Sequence, residues 1–300
     1  MDRVKKIINY WCKDTEGKTC LGRGITAAVL DTGISPHPDL KGRIRGFQDL
    51  VHHRRDLYDD SGHGTHVAGI LLGDGRMSGG ILSGVAPEAA VVALKVLDEK
   101  GDGSVENILA GLRWVRENRR RYGIRIVNLS VGAKADLDAG KEQEFLRGVE
   151  QLWDEGLVVI VSAGNQGPAR GTVAVPGTSR KVITVGALKT NERIQDISGR
   201  GPTKDCVVKP DLLAPGYQIL SCRSQFGRRT GYYTVKSGTS MAAPVAAGAA
   251  ALYLSKYPEA SNAEVKLRLL QTGRGIFGSD ALAHGGTAGW KCLDVAAFLR

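Results

Sequence analysis

The stretch that most constrains the fold runs from Gly238 to Ala251. Gly238-Thr239-Ser240-Met241-Ala242-Ala243-Pro244 leads into alanines at 246, 247, 249, 250 and 251. Side chains this small make a thin helix that packs tightly on its neighbours, so the segment reads as a tight turn feeding a buried helix. Gly238, with no Cβ, suits the strained turn and lets another backbone come close. Pro244 reads as just inside the first turn, where a missing N–H costs least. Ser240 then stands at or next to the helix N-terminus, where free N–H groups and the positive dipole end favour an oxyanion. Two readings of Ser240 compete. It is a helix N-cap, or it is a nucleophile, which needs a base within hydrogen-bond reach and a third group to orient that base.

The rest of the chain alternates strands with helices. Apolar runs at 24–30, 91–96, 126–130, 158–161, 182–185 and 210–213 read as strands, several of them continuous enough for a parallel sheet covered on both faces. Val105, Ile108, Leu109, Leu112 and Val115 recur at helical spacing, with Arg113, Arg116 and Glu117 outward. Further helices are expected at about 141–155 and 240–256, and from the capping box Ser261/Glu264 to about 271. This alternation, without linker or repeat, predicts one α/β domain with a mostly parallel sheet. With 42% hydrophobic residues and 40 glycines, the 300 residues can bury a real core with many tight turns. Residues 1–24 are mixed and polar, and read as a surface segment ahead of the first core strand.

No apolar run is long enough to span a membrane. Met1-Asp2-Arg3-Val4-Lys5-Lys6 leads only into Ile7-Ile8, which is not a secretory signal, so a cytoplasmic location is expected. Cys12, Cys20, Cys206, Cys222 and Cys292 show no CxxC pairing and read as free thiols of a reducing compartment, with a Cys12–Cys20 bridge as the exception to test. The net charge of +10 is spread over Arg54-Arg55, Arg119-Arg120-Arg121 and Arg228-Arg229. Without interleaved aromatics this points away from nucleic acid. It reads as a solvated surface or as attraction to an acidic peptide partner.

Two further stretches supply the groups a nucleophilic serine needs. Asp31 closes the strand 24–30 in Asp31-Thr32-Gly33, at the strand end where α/β sheets place ligand sites, although a turn aspartate would look the same. His63 sits between glycines in Ser61-Gly62-His63-Gly64-Thr65-His66, which leaves its ring accessible. His63 and His66 lack the glutamate of a zinc-binding His-Glu-x-x-His helix, so no metal is assigned to them. His66, deeper in the helix, reads as a satisfied core histidine.

The chain resembles the subtilisin-like serine proteases (subtilases), most like the intracellular bacterial subtilisins. The match lies in Ala28-Val29-Leu30-Asp31-Thr32-Gly33, His63-Gly64-Thr65-His66-Val67-Ala68-Gly69, Ser162-Ala163-Gly164-Asn165 and Gly238-Thr239-Ser240-Met241-Ala242-Ala243-Pro244, with Gly84-Val85-Ala86-Pro87 and Gly289-Trp290 in support. The chain order Asp, His, Ser is that of subtilisin. The resemblance implies a three-layer α/β/α fold over residues 22–300, preceded by an N-terminal extension at 1–21. It implies serine endopeptidase chemistry on extended polypeptides: Ser240 attacks, His63 moves the proton, Asp31 orients the imidazole, and Asn165 with the Ser240 N–H holds the oxyanion. Gly101-Asp102-Gly103 and Ser130-Val131-Gly132 become the two edges that take the substrate as an added strand. Ala163 and Gly164 line the first pocket, and Gln166, where many relatives carry an acid, favours an apolar or neutral side chain there.

The departures matter as well. Ile7-Ile8-Asn9-Tyr10 is close to the short N-terminal element of the intracellular subtilisins but lacks its proline, so residues 1–20 either occupy the cleft or pack on the domain. No cofactor is required for the chemistry. The resemblance implies a structural calcium ligand at Asp39, with the loop Gly73–Gly80 beside it, although Arg76 in that loop is unhelpful. Two other classes compete with an active protease: a pseudoprotease that keeps the peptide groove without turnover, and a nucleic-acid-binding protein suggested by charge alone. The physiological partner is a polypeptide, either bulk protein or an acidic precursor peptide.

Overall fold

In a computed structural model, residues 1–14, 16–131, 138–189, 194–276 and 290–300 are described. The strands are β1 (Thr26–Asp31), β2 (Ile44–Asp49), β3 (Ala90–Lys95), β4 (Ile124–Leu129), β5 (Val158–Ser162), β6 (Ile183–Leu188), β7 (Leu212–Pro215), β8 (Ile219–Gly227), β9 (Gly231–Lys236), β10 (Arg274–Gly275) and β11 (Lys291–Cys292). The helices are α1 (Asp2–Ile7), α2 (His63–Leu72), α3 (Val105–Tyr122), α4 (Ala139–Asp154), α5 (Thr239–Lys256), α6 (Asn262–Thr272) and α7 (Val295–Phe298).

Nine strands form one sheet in the order β10-β11-β7-β6-β5-β4-β1-β3-β2. It is parallel from β11 to β2, and only β10 runs antiparallel, against β11. The strand alternation explains why both faces are covered. Ala27, Val29, Val91, Ala93, Ile126 and Ile160 join one core cluster with the residues of α2 and α5. Their neighbours Ala28, Leu30, Val92, Leu94 and Val127 join the other with Ile108, Leu112 and Val115 of α3 and Phe145, Val149 and Leu152 of α4. The result is three layers, with β1 at the point where the strand order reverses. In open α/β sheets the ligand crevice lies at the carboxyl ends of strands at such a point. Among the described residues no helix is long and apolar enough to cross a membrane.

The alanine-rich segment is the helix α5, buried at Thr239 and from Met241 to Leu254. It begins at Thr239, so Pro244 is its sixth residue and lies beyond the first turn, contrary to the sequence expectation. Its missing N–H would have bonded the Ser240 carbonyl four residues back. The Ser130 hydroxyl donates to that carbonyl instead, at 3.2 Å.

The reading of residues 1–24 as a surface segment is corrected. Met1, Val4, Ile8, Tyr10 and Cys20 belong to the main core cluster. Lys5 Nζ donates to Ser83 Oγ at 2.6 Å, the Tyr10 hydroxyl donates to the Cys20 carbonyl, and the Val295 N–H donates to the Ile8 carbonyl at 2.7 Å. The apolar positions Met1, Val4 and Ile8 are spaced as one helix face, which the surrounding Asp2, Arg3, Lys5 and Lys6 obscured. None of the five cysteines forms a disulfide, and Cys12 and Cys20 meet through a backbone bond of 3.2 Å from the Cys20 N–H to the Cys12 carbonyl.

Candidate active site

Asp31 is the last residue of β1 and is fully buried. His63 opens α2, and its Nδ1 lies 2.7 Å from Asp31 Oδ1, which also accepts the Thr32 N–H at 2.8 Å. With a carboxylate as its partner, Nδ1 carries the proton and Nε2 faces outward with its lone pair free. Burial works to lower the proton affinity of His63, and the Lys236 ammonium adds to this. The Asp31 carboxylate outweighs both, so the imidazole pKa ends above its ordinary value.

A carboxylate four residues upstream fixes the start of α2. Asp59 Oδ1 accepts the Gly62 N–H (2.7 Å) and the Thr32 hydroxyl (2.8 Å), and Oδ2 accepts the Thr65 N–H (2.8 Å) and hydroxyl (2.6 Å). Thr32 Oγ1 in turn takes the Gly64 N–H at 2.9 Å. Asp59 therefore ties the strand end that carries Asp31 to the helix end that carries His63, and its charge suits the helix N-terminus. Sequence reasoning missed this role; an acid just ahead of a predicted helix start was the available signal. Lys95, paired with Asp31 in register across β1 and β3, is fully buried. Its three protons go to the Thr32 carbonyl (2.8 Å), the Leu97 carbonyl (2.9 Å) and the Asp60 carboxylate (2.7 Å), which accounts for a charge in the core.

Ser240 is the second residue of α5, where a backbone N–H has no intrahelical acceptor. Its hydroxyl donates to the Ser130 carbonyl at 3.1 Å, while the Ser130 hydroxyl donates to the Ser240 carbonyl and accepts from Asn128 Nδ2 at 2.9 Å. The loop after β4 is thus latched to the serine by a reciprocal pair. Asn165, exposed on the loop after β5, accepts the Thr239 N–H at 3.0 Å and the Thr239 hydroxyl at 3.1 Å on Oδ1. Because a backbone N–H can only donate, the amide orientation is fixed and Nδ2 is left free to donate. Gly238 must be glycine here: its φ is +145°, and a Cβ would lie 3.2 Å from Asn165 Nδ2.

The other expected residues are placed as follows. Ala163 is buried, and Gly164, at φ +87°, donates its N–H to Thr239 Oγ1 at 3.1 Å. A Cβ on Gly164 would stand 2.6 Å from that of Ala174, so the wall of small residues is required by packing. Gly101, Asp102 and Gly103 are exposed, on a loop whose turn is held by Asp98 Oδ1 accepting the Lys100 and Asp102 N–H groups at 2.9 Å. Ser130 and Val131 are buried, whereas Gly132 and Gly289 lie outside the described residues. Gln166 is exposed.

His66 is buried, with Nε2 donating to the Ile219 (3.0 Å) and Thr234 (3.1 Å) carbonyls. Burial pushes its pKa down to about 3, so it stays neutral. It is only half satisfied, since its Nδ1 is buried without a partner. At Asp39 the donor set does not fit calcium. Oδ1 accepts the Met77 N–H at 3.0 Å and Oδ2 accepts the Tyr233 hydroxyl at 2.7 Å, and the ligand atoms that converge with them are the ring nitrogen of His37 and the sulfur of Cys222, not oxygens. Arg76 is turned onto Asp74, with Nε 2.9 Å from Oδ2. Calcium needs several converging oxygens with free lone pairs.

A buried acid bonded to a histidine, and a helix-end serine, at the carboxyl ends of a doubly covered parallel sheet are the residue types a serine hydrolase uses. Residues 22–287 match the Subtilase family (peptidase S8), and the chain belongs to that family. It is 45% identical over 278 residues to serine protease AprX of Bacillus subtilis (strain 168), covering 86% of this chain and 62% of AprX. It is 35% identical over 266 residues to a subtilisin of Bacillus sp. (strain TA39), covering 83% of this chain and 61% of that protein. It therefore spans about three fifths of the length of these two relatives. Among solved structures, S41 psychrophilic protease superposes with a TM-score of 0.80 at 30% identity, covering 97% of both chains.

Proposed function

We propose that this chain is a serine endopeptidase that cleaves extended polypeptides through an acyl-enzyme intermediate. The observation that carries the reading is the buried Asp31 carboxylate bonded at 2.7 Å to His63 Nδ1, which leaves Nε2 as the free base of the site. Turning about χ1, Ser240 Oγ leaves the Ser130 carbonyl and gives its proton to His63 Nε2 as it attacks the scissile carbonyl. The new oxyanion meets the Ser240 N–H and Asn165 Nδ2, donors already fixed before the charge forms. His63 then protonates the leaving amine, and Asp31 stabilises the imidazolium without taking its proton. Water repeats the sequence on the acyl-enzyme and frees Ser240. The substrate docks as an added strand between Ser130-Val131-Gly132 and the loop Gly101-Asp102-Gly103, with its first side chain over Ala163 and Gly164.

No cofactor takes part in these steps, and we infer that Asp39 holds no calcium. The net charge of +10 favours acidic polypeptides over basic ones. Five cysteines, none in a disulfide, support a reducing, cytoplasmic setting. The test is intact mass spectrometry after incubation with a serine-directed fluorophosphonate, beside Ser240→Ala. One adduct on the wild type, absent from the variant, is expected. A folded wild-type chain that takes no adduct would mark a pseudoprotease. Broad cleavage of a random peptide mixture would identify a turnover enzyme, whereas cleavage confined to acidic precursors would identify a maturation enzyme.

A further inference from the structure

We propose that Lys236 is a specificity-determining residue that selects an acidic side chain on the leaving-group side of the scissile bond. The assignment rests on the protease reading above and deepens it. His63 protonates the leaving amine, so the residues that follow the scissile bond lie on the His63 flank of Ser240. That flank is walled by the hairpin β8–β9, which is seated on α2. His66 Nε2 holds the Ile219 and Thr234 carbonyls at 3.0 and 3.1 Å. At Gly62, beside His63, a Cβ would stand 2.6 Å from Ser224 Oγ of β8. Lys236 ends β9, opposite Ile219 in the register, only four positions before Ser240. The turn between them is pinned by the Gln218 N–H on Ser237 Oγ (2.8 Å) and the Gly238 N–H on the Gly216 carbonyl (2.8 Å). Lys236 is thus held at the edge of the site by the same elements that position His63 and the nucleophile turn.

Its charge is what sets it apart. The buried or nearly buried lysines each have a partner: Lys95, Lys209, Lys256 and Lys266 pair with carboxylates on Asp60, Asp211, Asp14 and Asp211 respectively, and Lys5 donates to the Ser83 hydroxyl. Lys236 is half-buried, yet its ammonium has no hydrogen bond or ion pair among the described residues. Its field reaches the imidazole, where it opposes protonation of His63. A half-desolvated cation without a partner is a ready counter-charge for a substrate carboxylate, and it repels a basic side chain brought to the same place.

The experiment compares two peptides that differ only in carrying Glu or Lys just after the scissile bond. It uses the full chain, with kcat/KM normalised to sites titrated by fluorophosphonate. The wild type is expected to favour the Glu peptide by about fivefold, the worth of one partly exposed ion pair. Raising the salt concentration should shrink that preference, a readout that needs no variant. Lys236→Met should bring the ratio near unity, and Lys236→Glu should invert it, with labelling of Ser240 retained. A wild-type ratio at or below unity, or one that all three proteins share, would overturn the role of Lys236 while leaving the protease reading intact. A wild type that neither labels nor cleaves either peptide would overturn both.

Discussion

At the scale of single residues, Asp31 controls both the tautomer and the proton affinity of His63. A base must be neutral to act, and His63 is held above its ordinary value of 6.5 by Asp31 against the opposing effect of burial. Activity should therefore fall as the pH drops through a value above 6.5. In Asp31→Asn the amide keeps the shape but loses the charge and the preference for Nδ1–H. We expect kcat to fall by about 10⁴, with the acid limb of kcat/KM moved to lower pH, readable from a pH–rate profile. An acid limb left in place would mean that another charge sets His63. Asn165 acts at a different point. Its Oδ1 is spent on Thr239, so only Nδ2 remains to donate, and in the proposed reaction the charge it meets exists only in the transition state. Asn165→Ala should lower kcat by roughly 10²–10³ with KM little changed. A rise in KM alone would show that Asn165 binds substrate and does not stabilise the oxyanion.

At the scale of elements, the proline in α5 and the loop after β4 depend on each other. Pro244 deprives the Ser240 carbonyl of its helical donor, and Ser130 Oγ supplies one, which locks the substrate-edge loop to the nucleophile. Ser130→Ala should cost about 1–3 kcal/mol, because a buried acceptor is left unmade. In a Pro244→Ala background the helix regains its own N–H, so the same change should cost measurably less. Denaturant unfolding of the four proteins closes the cycle, and equal costs in both backgrounds would refute the coupling. This linkage was not legible in sequence, where Pro244 looked like a harmless first-turn residue. What could be read were elements whose pattern is local: the continuous apolar runs of β1, β3, β4 and β5, the helical spacing of α3, and the alanines of α5. The hairpin β8–β9 could not, because Cys222-Arg223-Ser224-Gln225-Phe226 shows no clean alternation and its register shifts beyond Cys222. β2 was missed for a related reason, being an edge strand with Arg45 exposed. The candidate triad residues Asp31, His63 and Ser240 stood out because each sits in a short motif. Asp59 and Lys95 act through contacts that only the fold creates.

At the scale of the whole molecule, both ends of the chain close the core, and of the two readings the sequence left open for residues 1–20 the structure shows packing on the domain, although their polar look had suggested a surface segment. The arm from Met1 to Tyr10 packs Met1, Val4, Ile8 and Tyr10 into the core cluster that also holds α5, and the Ile8 carbonyl takes the N–H of Val295 near the C-terminus. The knot at Asp39 closes another part of the surface with hydrogens from Met77 and Tyr233, so chelation by EDTA should leave Tm unchanged; a fall of several degrees would show that calcium is held after all. The arm makes the stronger claim. An arm lying in the cleft would act as a brake, and loosening it would raise activity. An arm built into the core acts only on stability. Ile8 is fully buried, so Ile8→Ala should cost about 2–5 kcal/mol in transfer and cavity terms. For a chain of this size that is a Tm lower by roughly 4–10 °C or more. Below the unfolding transition, kcat/KM per labelled Ser240 on a short peptide should match the wild type. A variant of unchanged Tm but raised kcat/KM would place the arm over the substrate groove.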